Sequence, residues 1–245
     1  MTYTINNTLT EILLKNFKAY TIFERYNINY CIEGSRTIEE ACNMAEVDAA
    51  LIMNELRDVG DMFLSKIKVN EWSLDFLCEY IANNHHTFIR KALPDIALLA
   101  KEIFKHDRNK DISDKYEKLI SDFEIHMQKE EKLLFPYIKK LVNSEKSSHG
   151  FEIEPFGLIC KPIEVLKKEH LTAMEKLFAL KNNNSAPKRS YLSGQSKYYT
   201  GLLTEFEYDL HIHLHLENNI LFPKAQSLEK KILKRSSKKD KNKSK

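Results

Sequence analysis

The stretch His126–Pro136 reads HMQKEEKLLFP, and the stretch His213–Pro223 reads HLHLENNILFP. Both begin with a histidine, place a glutamate four residues later (Glu130 and Glu217) and end in Phe-Pro. These matched positions lie 87 residues apart. Because residues four apart lie on one face of an α-helix, each copy directs an imidazole and a carboxylate to the same side. The repeat therefore predicts two equivalent helices, each presenting one histidine and one glutamate.

The hydrophobic pattern around both motifs indicates that these side chains face a helical core. Steps of three and four residues give two stripes, Leu119, Phe123, His126, Glu130, Leu133 and Tyr137 in the first, and Phe206, Leu210, His213, Glu217 and Ile220 in the second. Such positions point inward in helix bundles. A buried carboxylate without a compensating partner is costly, and two facing carboxylates repel each other.

A bound cation would remove both of these costs. Glutamates and histidines on facing helices of a four-helix bundle form carboxylate di-iron and di-manganese sites. The paired motifs therefore predict a metal site in the core. The alternative is a duplicated helix that keeps buried His–Glu hydrogen bonds without a metal.

Four long helical segments follow Trp72, separated by polar, turn-rich breaks. The segments cover about 72–106, 112–144, 155–183 and 189–231, and the breaks read HDRNKD, NSEKSSHG and KNNNSAPK. Four long helices with short connections predict an up-down-up-down bundle. We therefore expect an all-α fold, with the bundle at residues 70–231.

The first and third helices should supply further histidines to the core. His170 is central to an apolar stripe on the third helix, formed with Ile163, Leu166, Ala173 and Leu177. On the first helix, His86 lies in the stripe Ala82, His86, Ile89, Leu93 and Ile96. His85 is an alternative to His86, because Ile81, His85, Phe88 and Ala92 also form a stripe.

Several other polar residues adjoin these candidates in sequence. His211 and His215 lie two residues from His213, and two residues turn a helix by about 200°. We therefore expect both at the surface or rim of the bundle. Glu131 and Glu169 also point away from the stripes, and we expect them to be solvated or to support the ligands from outside.

Residues 1–64 predict a small domain of short helices. Thr8 and Thr37 each precede an amphipathic run and have a glutamate three residues later, Glu11 and Glu40, which is the capping-box spacing. So few residues in short helices bury little surface alone. We expect this domain to pack on the bundle or on a second copy of itself, which leaves a homodimer open.

The composition of the 245 residues is that of a helical globular protein, 30% charged and 42% hydrophobic with few glycines and prolines. No apolar run approaches the roughly 20 residues of a membrane span, and the N-terminus does not resemble a signal peptide. The cysteines show no C-x-x-C spacing and predict neither a zinc site nor a disulfide framework. We expect a cytoplasmic protein with no membrane partner.

The net charge of +3 conceals a basic C-terminus. Residues 229–245 carry nine Lys or Arg and two acidic residues, so the rest of the chain is acidic. Such a run is typically disordered and solubilising. We expect a disordered tail at 232–245 and no nucleic-acid partner, since a basic run alone gives only non-specific attraction.

The two H-x-x-x-E-x-x-x-x-F-P motifs, each preceded by a further histidine, resemble a hemerythrin-like bundle. The segment IFERYNINYCIEGSRTIEEAC resembles the short N-terminal domain of the iron–sulfur cluster repair di-iron proteins. In that family the bundle begins with a histidine followed by Arg and Leu-Pro, matched here by His86, Arg90 and Leu93-Pro94. This spacing favours His86 over His85. The resemblance as a whole covers nearly the entire chain except the tail.

The resemblance implies a centre of two non-haem iron ions bridged by oxygen and two carboxylates. The matched terminal ligands are His86, His126, His170 and His213, and the bridges are Glu130 and Glu217. The family restores iron–sulfur clusters after oxidative or nitric-oxide stress, by delivering iron or handling nitric oxide. The implied partners are iron–sulfur proteins with damaged clusters, and any catalysis would be di-iron redox chemistry on nitric oxide or dioxygen.

One departure concerns the cysteine of the N-terminal domain. The family commonly has two adjacent cysteines followed by two glycines, whereas the matching residues here are Cys31, Ile32, Glu33 and Gly34. Chemistry that needs two thiols is therefore not expected. Cys31 is the one catalytic candidate, as a ligand for iron or a cluster, and the alternative is that it is a small apolar residue of the domain core. The alternative function is a hemerythrin-like protein that binds or senses dioxygen or nitric oxide.

Overall fold

The structure is a computed structural model, and it describes residues 3–59, 68–104, 111–147, 154–155, 157–183 and 194–243. Within these ranges the chain is helical and forms no strand, only an isolated antiparallel bridge between Thr8 and Thr37. The expected all-α fold is confirmed. None of the described helices is both long enough and apolar enough to cross a membrane.

The chain divides into two compact units, one formed mainly by Met1–Ser73 and the other mainly by Leu74–His213. The helices of the first are α1 (Leu9–Lys15), α2 (Tyr20–Arg25), α3 (Tyr30–Glu33), α4 (Ile38–Met44) and α5 (Ala49–Asp58). Both predicted capping boxes are present, from Thr8 to Glu11 and from Thr37 to Glu40. The bridge between the two threonines places the starts of α1 and α4 side by side.

Four long helices form the bundle, and three of them contain a π-helical turn. The first comprises α6 (Leu74–Tyr80), a π turn (Ile81–His86) and α7 (Thr87–Phe104); the second comprises α8 (Ile112–Lys129), a π turn (Glu130–Leu134) and α9 (Phe135–Ser147); the third is α10 (Cys160–Asn183); the fourth comprises α11 (Gly194–His215), a π turn (Leu216–Leu221) and α12 (Phe222–Lys243). Two predicted breaks begin inside these helices, because the first residues of NSEKSSHG belong to α9 and those of KNNNSAPK to α10. The rest of both breaks, and nearly all of HDRNKD, lies outside the described residues.

Side-chain pairs show that neighbouring bundle helices are antiparallel. The pairs are His86–Glu131 and Arg90–Glu124 for the first and second helices, Asp122–Lys176 and Lys129–Glu169 for the second and third, and His85–Asp209 and Phe104–Tyr199 for the first and fourth. In each case the residue number rises on one helix as it falls on the other. The order is therefore up-down-up-down, as expected.

The core of the bundle follows the predicted stripes, apart from the half-buried Ala82 and Ala173 and one exposed position. Leu119, Phe123, Phe206 and Leu210 are buried, but Leu133 is 58% exposed and the prediction that it faces inward is wrong. The π turn Glu130–Leu134 adds a residue to the turn, so the inward position passes to Leu134, which is buried.

The Phe-Pro pairs of the sequence repeat explain where two of the π turns lie. Pro136 and Pro223 each follow a π turn by two residues. A proline inside a helix has no N–H to donate and its ring crowds the carbonyl four residues earlier. That carbonyl, of Lys132 or Asn219, belongs to the π turn, whose wider spacing accommodates the ring.

The C-terminus differs from the expected disordered tail at 232–245. Helix α12 runs without interruption through Lys243. The segment contains no glycine or proline to end it, and lysine and arginine have good helix propensity. Its first turns are held by the buried Leu228, Glu229 and Ile232.

A buried polar contact joins three parts of the bundle. The Tyr137 hydroxyl on α9 donates to Glu229 Oε1 on α12 over 2.5 Å, and the backbone N–H of Ile159 donates to the same oxygen over 2.9 Å. Burial and the carboxylate of Glu229 raise the pKa of Tyr137, so this hydroxyl remains a donor at ordinary pH. The contact fixes the start of α10 against two other helices.

We expect Tyr137→Phe to lower the free energy of unfolding by about 1–3 kcal/mol, because Glu229 would lose a buried hydrogen bond. Urea denaturation of the full chain, followed by helical circular dichroism, measures the change. Tyr198→Phe is the matched control, since Tyr198 is 60% exposed and should be nearly neutral. Equal effects of the two substitutions would contradict the importance of this contact.

Candidate metal centre

The structure brings all six residues of the predicted ligand set together in the bundle. They form two overlapping groups, His86, Glu130, His213 and Glu217, and His126, Glu130, His170 and Glu217. Within each group the candidate ligand atoms all lie within 4.8 Å of one another. Glu130 and Glu217 belong to both groups, so the two groups overlap at a shared pair of carboxylates.

The two oxygens of Glu130 face different histidines. Its Oε2 lies 3.3 Å from Nε2 of His86, and its Oε1 lies 3.3 Å from Nε2 of His126 and 3.9 Å from Nε2 of His170. The Nε2 atoms of His126 and His170 are 2.9 Å apart. Glu130 therefore presents one oxygen to each group of histidines.

Burial makes a cation at this position energetically favourable. Glu130, Glu217, His86 and His213 are 0% exposed, and His126 and His170 are buried as well. Taking an ionised carboxylate out of water costs several kcal/mol unless opposite charge lies nearby. Imidazole nitrogen and carboxylate oxygen together suit iron, and no thiolate is among the donors. The donor set fits non-haem iron.

Two of these histidines are oriented by carboxylates outside the cluster. The Nδ1 of His86 lies 2.7 Å from Oε1 of Glu131, and the Nδ1 of His126 lies 2.9 Å from Oε2 of Glu169. A carboxylate that accepts from Nδ1–H leaves Nε2 as the lone-pair donor, which here faces the cluster. The outer carboxylates thus fix both the tautomer and the ring orientation.

These outer carboxylates are themselves held ionised by basic residues. Burial opposes ionisation of Glu131, but hydrogen bonds from Arg90 and His86 bring its pKa below the usual value. The hydrogen bond from His126, with that from Lys129, lowers the pKa of Glu169 to about 2 despite its partial burial. Arg90 and Lys129 therefore place positive charge just outside the two carboxylates that hold histidines of the cluster.

Glu131 and Glu169 support the ligands from outside, one of the two roles expected for them, since each bonds a histidine of the cluster.

The expectation for His211 and His215 is wrong. They are 0% and 3% exposed rather than at the rim. Burial lowers the pKa of His215 to about 3, so its imidazole is neutral. The fourth helix is buried on most sides around these two histidines. Helical periodicity predicts exposure only for a helix with one solvated face, so it fails here.

Both adjacent histidines of the first helix are buried, which the sequence reasoning did not anticipate. His86 belongs to the cluster and His85 is 4% exposed, with its Nδ1 bonded to Asp209. Successive residues of an α-helix point about 100° apart. The π turn Ile81–His86 changes this angle between successive side chains. In the sequence, the only sign of it is the pair of adjacent histidines.

Cys31 lies in a different environment from the cluster. It is a free, buried cysteine, and neither metal-binding group found among the described residues includes it. Burial raises the pKa of the Cys31 thiol to about 12, partly offset by a hydrogen bond with Tyr30. The thiol is therefore neutral at physiological pH, and a neutral thiol is a weak ligand and nucleophile.

Two family models match this chain. The one described as hemerythrin HHE cation-binding domain matches residues 80–225, which contain all six residues of the cluster. The other, a domain of unknown function (DUF542), matches residues 5–60. The bundle is thus a hemerythrin domain, and the first unit carries the second family's domain.

Relatives of similar length match across both domains. The protein of Shigella boydii named iron–sulfur cluster repair protein YtfE is 30% identical over 227 residues, which cover 89% of this chain and 95% of the relative. Proteins of the same name from Edwardsiella ictaluri and Musicola paradisiaca are 27% and 26% identical, covering 92% and 89% of this chain and 98% and 95% of their own. The chain therefore belongs to the hemerythrin family and, with these relatives, to the family of the YtfE proteins, which confirms the resemblance drawn from the sequence.

We expect alkylation to distinguish Cys31 from the more exposed Cys160. A thiol with a pKa of about 12 has a thiolate fraction near neutral pH about a thousandfold smaller than an ordinary cysteine. Cys31 should thus remain unmodified by iodoacetamide at pH 7.5 while Cys160, which is partly exposed, reacts. Peptide mass spectrometry against time and pH measures both. Modification of Cys31 at or above the rate of Cys160 would contradict this assignment and favour an active thiol.

Proposed function

We propose that this protein repairs iron–sulfur clusters damaged by oxidative or nitrosative stress, and that it does so by holding iron in the bundle and delivering it to damaged proteins. The observation that carries the proposal is the pair of overlapping groups that share Glu130 and Glu217. The name of the relatives, iron–sulfur cluster repair protein, supports the same function.

In this proposal the centre holds two iron ions. His86 and His213 would be the terminal ligands of one ion, His126 and His170 would be those of the other, and Glu130 and Glu217 would be shared between the two. The opposed placement of the Glu130 oxygens favours this assignment over a single ion, because a carboxylate that chelates one ion directs both oxygens to it. Two histidines and two shared carboxylates would not fill the coordination of either ion, so a small ligand could bind there.

The ligands suit an iron that is held and then released. Iron–sulfur clusters are bound by cysteine thiolates, whereas every donor here is an imidazole or a carboxylate. Without a thiolate among its ligands, iron would be held less firmly than in a cluster site, which suits donation. When bound, iron would supply redox chemistry and open positions for small ligands such as nitric oxide.

The surrounding residues keep these donors in place between binding and release. Glu131 and Glu169 hold His86 and His126 through Nδ1, so both rings keep Nε2 directed at the centre. Arg90 donates to Glu131 through two nitrogens, which fixes that carboxylate in turn. Partners that orient ligands in this way preorganise a site for its metal.

The test is recovery of a damaged iron–sulfur enzyme. We expect the iron-loaded protein to restore cluster absorbance in a purified, nitric-oxide-treated acceptor faster than the same concentration of free Fe²⁺. The Glu130→Ala variant should lose at least one bound iron, because it removes a bridge, and should restore the acceptor more slowly.

Glu124→Gln is the matched control for this test. Glu124 is a partly exposed carboxylate on the same helix that contacts Arg90 but belongs to neither metal group. It should keep the iron content and the repair rate. Recovery no faster than with free Fe²⁺, from a protein that binds two irons, would contradict delivery and favour a protein that binds dioxygen or nitric oxide.

A further inference from the structure

His85 is a buried imidazole beside the centre that the proposed ligand set does not use. It immediately precedes His86 in the π turn Ile81–His86 and is 4% exposed. Its Nδ1 lies 2.9 Å from Oδ1 of Asp209 on the fourth helix. Its Nε2 is buried and makes no hydrogen bond with any described residue. The ring therefore has one nitrogen fixed by a carboxylate and one lone pair directed into the protein.

This arrangement repeats that of two proposed iron ligands. His86 and His126 also have Nδ1 on a partly exposed carboxylate, 28% exposed for Glu131 and 31% for Glu169, against 23% for Asp209. The hydrogen bond from Nδ1 to a carboxylate leaves Nε2 of His86 and His126 free to bind a metal, and it does the same for Nε2 of His85. His85 has the local chemistry of a metal ligand without belonging to either group.

The charge around Asp209 differs from that around the other two outer carboxylates. Arg90 neutralises Glu131 and Lys129 neutralises Glu169. Asp209 has no lysine or arginine partner in the part of the chain that the structure describes, and its buried Oδ2 makes no hydrogen bond there. Of the three outer carboxylates, Asp209 is the one whose negative charge is available to attract a cation.

The position of His85 relative to His213 shows which metal it would serve. The two rings are stacked, with centroids 5.8 Å apart and planes 6° from parallel, and His86 packs edge-on against the same His213 ring at 5.0 Å. Imidazole binds a metal in the plane of its ring, so a ring stacked on His213 does not share the ion that His213 holds. His85 instead lies beside the group formed with His86 and His213.

We propose that His85 and Asp209 form a transit site for a divalent metal cation, Fe²⁺ in the function proposed above, on its way into or out of the His86–His213 position. This inference rests on that proposed function. Asp209, whose side chain is 23% exposed, attracts the cation by its charge and holds it through the buried Oδ2, which makes no hydrogen bond with a described residue. Because Nδ1 of His85 stays on Asp209, its Nε2 faces away from that carboxylate, and the two donors act in succession. Fe²⁺ binds both kinds of donor, the neutral imidazole of His85 and the carboxylate of Asp209.

The experiment measures how fast iron enters and leaves the full-length protein under anaerobic conditions. Stopped-flow absorbance would follow Fe²⁺ uptake by metal-free protein and Fe²⁺ release to ferrozine. We expect Asp209→Asn and His85→Gln to keep two irons per chain and the optical spectrum, because neither is a resident ligand. Uptake of one of the two ions should slow by about tenfold, since a charged entrance raises the local cation concentration by at least that factor.

Two further readouts separate this role from a structural one. Added salt should slow uptake by the parent protein but have little effect on Asp209→Asn, because screening acts on the charge that the variant lacks. Glu207→Gln is the matched control, since Glu207 lies two residues away on the same helix and is already paired with Lys181. It should behave as the parent protein does.

Each alternative outcome overturns the inference in a recognisable way. Unchanged uptake and release in both variants would remove the transit site while leaving the two-iron centre intact. Loss of a resting iron in His85→Gln would make His85 a resident ligand instead. An equal slowing in Glu207→Gln would indicate a general charge effect. A parent protein that binds no iron would overturn the proposed function itself. If His85→Gln does not fold by circular dichroism, the isosteric Asp209→Asn decides the question.

Discussion

The architecture depends on two glutamates that lie fully buried at the middle of a four-helix bundle. Glu130 and Glu217 would destabilise the fold by several kcal/mol each if they were ionised in an apolar core without nearby positive charge. The residues around them are arranged in successive shells of histidines, carboxylates and basic side chains. Histidines face the carboxylates, Glu131 and Glu169 hold two of those histidines, and Arg90 and Lys129 hold the outer carboxylates. Such shells give a divalent cation a prepared position and explain why one face of each bundle helix is not purely hydrophobic.

The helices achieve this convergence by departing from regular α geometry. His86, Glu130 and Glu217 each lie within a π turn. Turns of this kind often mark functional sites, because they cost local hydrogen bonding and persist only where another interaction compensates. Pro136 and Pro223 help to fix the register of two of them from the sequence itself. The Phe-Pro ending of the repeated motif thus has a structural role in presenting the glutamate that lies six residues before the proline on the same helix.

Much of this arrangement was accessible from the sequence. The repeated histidine and glutamate spacing, together with the apolar stripes, predicted the bundle and five of the six residues that the structure brings together, and the family resemblance favoured His86 over His85 as the sixth. The capping boxes at Thr8 and Thr37 were also predicted from spacing alone. These features are local or periodic, and regular helix geometry is sufficient to find them.

The features that were missed depend on departures from that geometry or on tertiary packing. Periodicity placed Leu133 inward because it assumes 3.6 residues per turn through a segment that is π-helical. It placed His211 and His215 at the rim because it assumes that a helix has one solvated face. The pairing of His85 with Asp209 joins residues 124 positions apart, and no spacing within one helix could reveal it.

We propose that the six residues meet because they hold two metal ions. Anomalous diffraction at the iron edge, from crystals of the iron-loaded protein, would locate those ions. We expect two peaks within about 4 Å of each other, as in other two-metal sites, with Glu130 and Glu217 each contacting both. A single peak, or iron bound elsewhere while these six side chains contact only one another, would contradict it.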